Sequence, residues 1–441
     1  MKEKISILLN ASLLTNFFEM GNIDRTGIFF TVYNVLKEFE RLPNFNITLL
    51  INNNRYKFVQ KMKNDLFFSK FSYFKFYDEQ LIFYRINLIK TYKNFIKTNT
   101  NIFINTLYIL KIIKHYIYVL YYCLMKYIHN IKKICKKIDI FLSLDSIIHN
   151  EIIKCTHIKN FVFLHDTMPL IFPEYYPSFF STKNHIIEYA YIRNLNKEYY
   201  YFCNSECTKR DHLKYYKNQL DEKKIIVTYI SSSQNFYPDY DKKKLAAVFN
   251  KYKVEHRNND EYIFSLCTLE PRKNLVFTVK CFINFIKKHN IKNLYFYLGG
   301  AQWDKFIHLL EEQIDSLKEY QKKIIRFGYI DDNDVNILYS NSLFFTYISQ
   351  YEGFGMPPLE AMQAGTPVIT SNNSSLPEVV GDAAIMIDYD SEEQCIKAFE
   401  NLYFSEDLRK HYIKKGLERA KLFSWKKTVK KMSDVILKTV L

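Results

Sequence analysis

The sequence predicts an α/β protein of two doubly wound parallel-sheet domains, on three observations. Apolar runs of strand length alternate with helical stretches along most of the chain, the pattern that builds parallel sheets. Its 441 residues are enough for two or three domains, each with its own core. In a chain of only ten glycines, four fall between Ser349 and Gly381, where a buried strand should turn into a helix.

Taken in order, residues 1–60 read as strand ISILLN, a glycine loop, helix FFTVYNVLKEFERL and strand FNITLLIN. The start MKEKISILLN has the lysine-flanked outline of a signal peptide. Asn10 breaks that run and Gly21 follows where a strand would turn, so a first buried strand is expected instead. Gly27 should open the first helix, where an anionic group can approach free N–H groups. Two further strands are expected in IDIFLSLDS and KNFVFLHDTMPL, and another in YFCNSECTKRDHL, which turns into a helix at Ser205. The pattern breaks between about 226 and 260, the expected link to a second α/β domain with strands YIFSLCTL, LYFYLGG, IIRFGYI and SLFFTYIS. Expected domains are therefore 1–228 and 229–420, with a basic helix over 421–441.

Composition narrows the partners. Hydrophobic content of 48% and 17% aromatic exclude a disordered chain. A net charge of +16 implies something anionic, whether nucleic acid, acidic lipid or a sugar nucleotide. Eight cysteines without C-x2-C pairs fit free thiols in a reducing cytoplasm better than zinc. Between Ile86 and Lys137 there are ten lysines and no acid. Within it Lys111, His115, Tyr118, Tyr122, Lys126, His129 and Lys133 step by three or four, predicting one polar stripe on a helix. Ile109, Ile112, Ile113, Ile117, Leu120, Leu124 and Ile128 fill the remainder. Two readings stand: a helix lying on an anionic membrane surface, or a core helix with an exposed lysine edge. No run reaches the ~18–20 apolar residues of a membrane span.

Several residues sit where chemistry gathers. The strand SNSLFFTYIS, the glycine turn and Pro357–Pro358 at a helix start make an anion site of free N–H groups. Glu352 and Glu360 flank it with seven residues between them; a dipole partner is the plain reading of Glu360, and a solvated acid that of Glu352. Arg272 and Lys273 follow a strand, as an ordinary surface pair or as cations aimed at a ligand. His165 and Asp166 end a strand at its carboxyl side, where α/β sheets take ligands, although a structural histidine is common. Three D-x-D matches, at Asp239, Asp332 and Asp388, show how cheap that metal pattern is, and Asp332 reads as a helix start.

The phrase E-G-F-G-M-P-P-L-E-A-M-x-A-G-T-P-V-I resembles the E-x7-E signature of glycosyltransferase family 4, the glycosyl transferases group 1. TLEPRKNL is similar to that family's G-x-x-x-P-R-K-N, with Cys267 in place of the glycine. H-D-x-x-P-L-x-x-P-E resembles the loop of its bacterial mannosyltransferases, and the segment from Cys203 its V-S-x-x-T-x-x-D. Near Gly27 the family's G-I-G-R is replaced by Gly27-Ile28-Phe29-Phe30, and Arg25 is the nearby cation. The matched segments lie near 24–36, 161–174, 264–275 and 324–381.

The resemblance implies the GT-B fold, two Rossmann-like domains facing across a cleft, and a retaining glycosyltransferase. It implies a nucleotide-diphosphate sugar as donor, mannose being favoured by the H-D-x-x-P-L likeness, and a lipid-linked, lipopolysaccharide or polysaccharide acceptor. By it, Arg272 and Lys273 hold the diphosphate, Glu352 meets sugar hydroxyls, and Glu360 bridges the ribose hydroxyls. The amides of Gly353, Phe354, Gly355 and Met356, with Gly27 opposite, face the donor, and His165 and Asp166 contact the sugar or acceptor, Asp166 orienting the imidazole or meeting the acceptor. No cofactor, essential metal or nucleic-acid partner is expected, and the location expected is cytoplasmic, on the inner face of the plasma membrane. The competing readings are another GT-B class, an epimerase or phosphorylase, and a non-catalytic basic membrane-docking module.

Overall fold

The computed structural model describes residues 4–15, 27–52, 58–76, 79–98, 102–128, 134–145, 150–175, 195–256, 260–300, 307–315 and 318–441. Arg25 and Gly21 lie outside these. Two all-parallel sheets carry the fold. The first runs β3-β2-β1-β4-β5-β6-β7, built from Ile5–Asn10, Phe45–Asn52, Ser72–Phe76, Ile140–Ser143, Lys159–Leu164, Tyr200–Cys203 and Ile225–Val227, numbered in chain order. The second runs β10-β9-β8-β11-β12-β13, from Glu261–Leu266, Leu294–Gly299, Ile324–Gly328, Phe345–Tyr347, Val368–Ser371 and Ile385–Ile387 as β8 to β13. Strands such as β4 and β12 are buried throughout, as expected of sheets covered by helices on both faces.

Strands β3, β7, β12 and β13 go beyond those expected. Three of the four are edge strands and β12 is next to one, and β7 and β13 have three residues each, too few to establish a periodicity. The stretch read as a link also holds the helix Lys242–Lys251, capped by Asp241, which packs against the helix Asp332–Asn341. That second helix begins at Asp332, as expected, with Asp331 before it at the N-cap position. The last helix, Trp425–Val440, packs on the first-domain helix Gly27–Glu40. Its Trp425 Nε1 donates to Ser232 O at 3.0 Å and its Thr428 Oγ1 to Tyr229 O at 2.5 Å.

The basic stretch forms two helices, Glu79–Thr98 and Ile102–Ile128, packed on each other. Of the expected polar stripe, His115 is buried and Tyr118 half-buried, while Lys111 stays exposed. His115 stacks on Tyr92 with ring centroids 5.7 Å apart, Tyr108 meets Phe95 at 4.4 Å, and Lys111 lies over Tyr108. Lys93 donates to the Tyr116 hydroxyl at 3.0 Å. The core-helix reading fails for the other face, since Leu107, Ile109, Leu110, Ile113, Ile117 and Leu120 are exposed, Leu120 by 69%. Tyr122, Leu124, Lys126, Ile128, His129 and Lys133 lie outside the residues whose side chains are described.

Candidate active site

In the second sheet β8 and β11 are neighbours, and the chain winds outward from both. The crevice beyond the carboxyl ends of such a pair is where open α/β sheets take ligands. Strand β8 leads into a single turn, Pro271–Lys273, which Asn274 ends in the left-handed region at φ 58°. Strand β11 leads into the glycine turn. The two loops are tied together, since Gln350 N and Ser349 Oγ donate to Arg272 O at 2.7 and 3.1 Å.

At their junction Glu352 Oε1 accepts from Lys273 Nζ at 2.7 Å, from Arg272 Nη1 at 3.0 Å and from the Tyr347 hydroxyl at 3.0 Å. Lys273 also donates to the Tyr347 oxygen at 2.6 Å, and Arg272 Nε to Glu270 at 2.8 Å. All three ionic side chains are buried. Burial works against the Glu352 charge, but Lys273 and Arg272 outweigh it and hold its pKa down to about 2. Burial and then the neighbouring guanidinium depress the Lys273 pKa, with Glu352 opposing. Burial opposes the Arg272 charge as well, and Glu352 and Glu270 more than compensate. The solvated-acid reading of Glu352 and the surface-pair reading of Arg272–Lys273 are thereby set aside.

Donors remain unspent around this cluster. Arg272 Nη2 has no acceptor among the described residues, and neither do the amides of Gly353, Phe354 and Gly355. Gly355 takes φ 105° at the N-cap of the helix Met356–Gln363, with prolines following in the first turn, and Gly365 at φ 72° ends that helix. Glu360 is not in the first helical turn, which contains no acid, so the dipole-partner reading does not hold. It accepts from the Tyr339 hydroxyl at 3.2 Å. Burial lifts its pKa to about 7, the Tyr339 hydrogen bond opposing.

The first domain supplies the facing wall. A Cβ on Gly27 would lie 3.4 Å from Met356 Cε, so the first helix opens beside the glycine turn. His165 Nε2 lies 2.7 Å from Leu144 O; a carbonyl only accepts, so Nε2 carries the proton and Nδ1 is left as an acceptor. Burial lowers the His165 pKa and keeps it neutral. Asp166 does not orient this ring, which the Leu144 carbonyl already holds. Its carboxylate caps Met168 N at 3.3 Å and lies against Gly353. Burial raises the Asp166 pKa, and Arg272 across the cleft pulls it back. Ser205 is both helix N-cap and cleft contact, accepting from Thr208 N at 3.0 Å and donating to Gly353 O at 2.7 Å.

Sequence reading missed Tyr347, five residues before Glu352, and Asp145, whose oxygens each accept from Asn10 Nδ2 at 2.9 Å beside His165's loop. Both residues stand at or just past the carboxyl ends of strands, the one signal available for them. Among the described residues no group of three His, Cys, Asp or Glu is placed to hold a metal, and seven cysteines are buried. Among them, too, no helix is long and apolar enough to cross a membrane.

Residues 249–419 match the family described as glycosyl transferases group 1. O-antigen chain mannosyltransferase B of Escherichia coli is 28% identical over 59% of this chain and 65% of its own length. The serotype-specific mannosyltransferase WbdA of Escherichia coli is 29% identical over 43% of this chain and 23% of its own. The chain thus spans less than two thirds of each. Among solved structures, Anabaena HepE in complex with UDP and glucose matches with a TM-score of 0.63 at 12% identity, over 98% of this chain and 100% of that one. WaaG, a glycosyltransferase involved in lipopolysaccharide biosynthesis, gives 0.60 at 12% identity over 98% and 99%. The chain has the GT-B fold, and by its second domain it resembles the glycosyl transferases group 1, with bacterial mannosyltransferases of O-antigen assembly among its relatives.

Proposed function

We propose that this protein is a retaining, metal-independent glycosyltransferase. It moves a hexose, with mannose favoured, from a nucleotide-diphosphate sugar to a lipid-linked, lipopolysaccharide or polysaccharide acceptor. One observation carries the reading: Arg272 Nη2 and three consecutive amides of the glycine turn are uncommitted donors in the crevice, beside a buried lysine. Such donors suit a diphosphate, whose charge grows as the sugar leaves, and preorganised donors favour that transition state over the ground state. Glu352, fixed by three donors on one oxygen, aligns the cations and meets a sugar hydroxyl. Glu360 is placed for the ribose diol, since a carboxylate accepts two hydroxyls. His165 offers Nδ1 to a hydroxyl of the sugar or acceptor. With retention, the acceptor attacks from the face the diphosphate leaves, and a phosphate oxygen takes its proton, so no carboxylate base is assigned.

The exposed apolar face of the hairpin, flanked by lysines, is the part proposed to rest on an anionic membrane where a lipid-linked acceptor would lie. The test is a panel of nucleotide sugars screened for thermal stabilisation, followed by transfer assays on the best ligand with and without chelator. Stabilisation by one nucleotide-diphosphate sugar and chelator-resistant transfer are expected. No stabilisation by any of them would refute the reading.

A further inference from the structure

The donor turn belongs to the second domain, yet its conformation is held from the first. The helix Glu206–Tyr216 points its N-terminus at the turn. Ser205 Oγ donates to Gly353 O at 2.7 Å and Thr208 Oγ1 to the same oxygen at 3.2 Å. Both hydroxyls are fully buried. Glu378, from the second domain, returns the contact by accepting from the Glu206 and Cys207 N–H groups at 2.7 Å each. Tyr351, one residue before Glu352, donates to Asp211 at 2.6 Å.

A peptide is planar and trans, so its C=O and the next N–H point in opposite directions. Fixing the Gly353 carbonyl toward the helix therefore sends the Phe354 N–H away from it. That N–H is one of the amides with no acceptor among the described residues. We propose that Ser205, assisted by Thr208, is a positioning residue for the donor: it sets the Gly353–Phe354 peptide plane so that the Phe354 amide is presented to the nucleoside diphosphate. This rests on the sugar-transfer reading above. It makes the first domain a part of the donor site, not only of the acceptor wall, and the turn is fully formed only while the two domains touch.

Ser205 also caps its helix, and the two roles separate by substitution. Glycine caps nearly as well as serine, within a few tenths of a kcal/mol, whereas alanine does not. Neither has a hydroxyl; threonine has one. The full-length Ser205→Gly, Ser205→Ala and Ser205→Thr proteins are titrated with GDP-mannose by calorimetry and melted without ligand. Loss of one buried hydrogen bond predicts a roughly tenfold weaker Kd for both Ser205→Gly and Ser205→Ala. Both should melt lower for that lost bond, Ser205→Ala by more because its cap is lost too, and Ser205→Thr should bind within about twofold of the parent. Parental affinity in Ser205→Gly would overturn the positioning role by itself. Failure of the parent to bind GDP-mannose or any other sugar nucleotide would overturn the sugar-transfer reading, and this role with it.

Discussion

Around Glu352 two cations are buried, each within 3.0 Å of a carboxylate oxygen, and an aromatic hydroxyl completes the set. Along the hairpin Glu79–Ile128 the described lysines stand in solvent, next to exposed isoleucines and leucines. Lysine and tyrosine meet in both places. In the crevice Lys273 meets the Tyr347 hydroxyl where water is excluded, and its charge is balanced locally. On the hairpin Lys93 and Lys111 lean on Tyr116 and Tyr108 at the surface, and their charge projects outward. A buried, paired cation acts over one hydrogen-bond length; an exposed cluster acts over a Debye length of about 8–10 Å and is weakened by salt. In the function proposed above, the crevice takes one small anion and the hairpin meets an extended surface.

The largest effect expected is at the crevice. Lys273→Ala should lower sugar-transfer turnover by about 10²–10³-fold with circular dichroism unchanged, because Arg272 still pairs with Glu352. Near-parental turnover would erase the distinction drawn above. Gly353→Ala is next. Its Cβ would lie 2.7 Å from Asp166 Cβ, so the cleft must open or the turn shift, and nucleotide affinity should fall by about tenfold or more in calorimetry. On the hairpin, Ile113→Glu with Ile117→Glu should abolish co-sedimentation with anionic vesicles while nucleotide affinity stays within about twofold. Loss of both together would mean that the two regions are not separable.

The smallest expected effect is a pH dependence at Glu360. Its pKa is raised to about 7 from 4.5, so between those values the folded protein holds a proton that the unfolded chain has lost. That contribution to stability is therefore fully present below pH 4.5 and is lost as pH rises through 7, by an amount on the order of 3 kcal/mol. Glu360→Gln should flatten that slope in melts at successive pH values, and weaken nucleotide binding at pH 8. An unchanged slope would show that Glu360 is not the group responsible.

Much of this was legible in the residues. The glycine turn, the two prolines and the flanking glutamates are local, and local spacing is what a sequence displays. Arg272, Lys273 and Glu352 were placed together through a family likeness, and the structure joins them through hydrogen bonds across the sheet's central strands. Tyr347 was not visible as a partner, because its role depends on which face of β11 it occupies and on a lysine 74 residues away. For Ser205 the sequence leaves the active-site edge and the helix cap equally open, and its reach to Gly353 spans 148 residues that no periodicity encodes. The hairpin misled for a related reason. Spacing identifies two faces of a helix but not which residues meet a neighbour, and ring contacts of Tyr92 with Tyr108 and His115 draw His115 inward while the isoleucines and leucines stay exposed.

The polypeptide passes between its lobes twice, once after Val227 and again ahead of Trp425, and Trp425 bonds the carbonyl of Ser232 in the earlier passage. A door hung on two pins cannot slide or twist; it can only swing about the line that joins them. Any parting of the walls should then follow one arc, with the tryptophan standing still at the pivot.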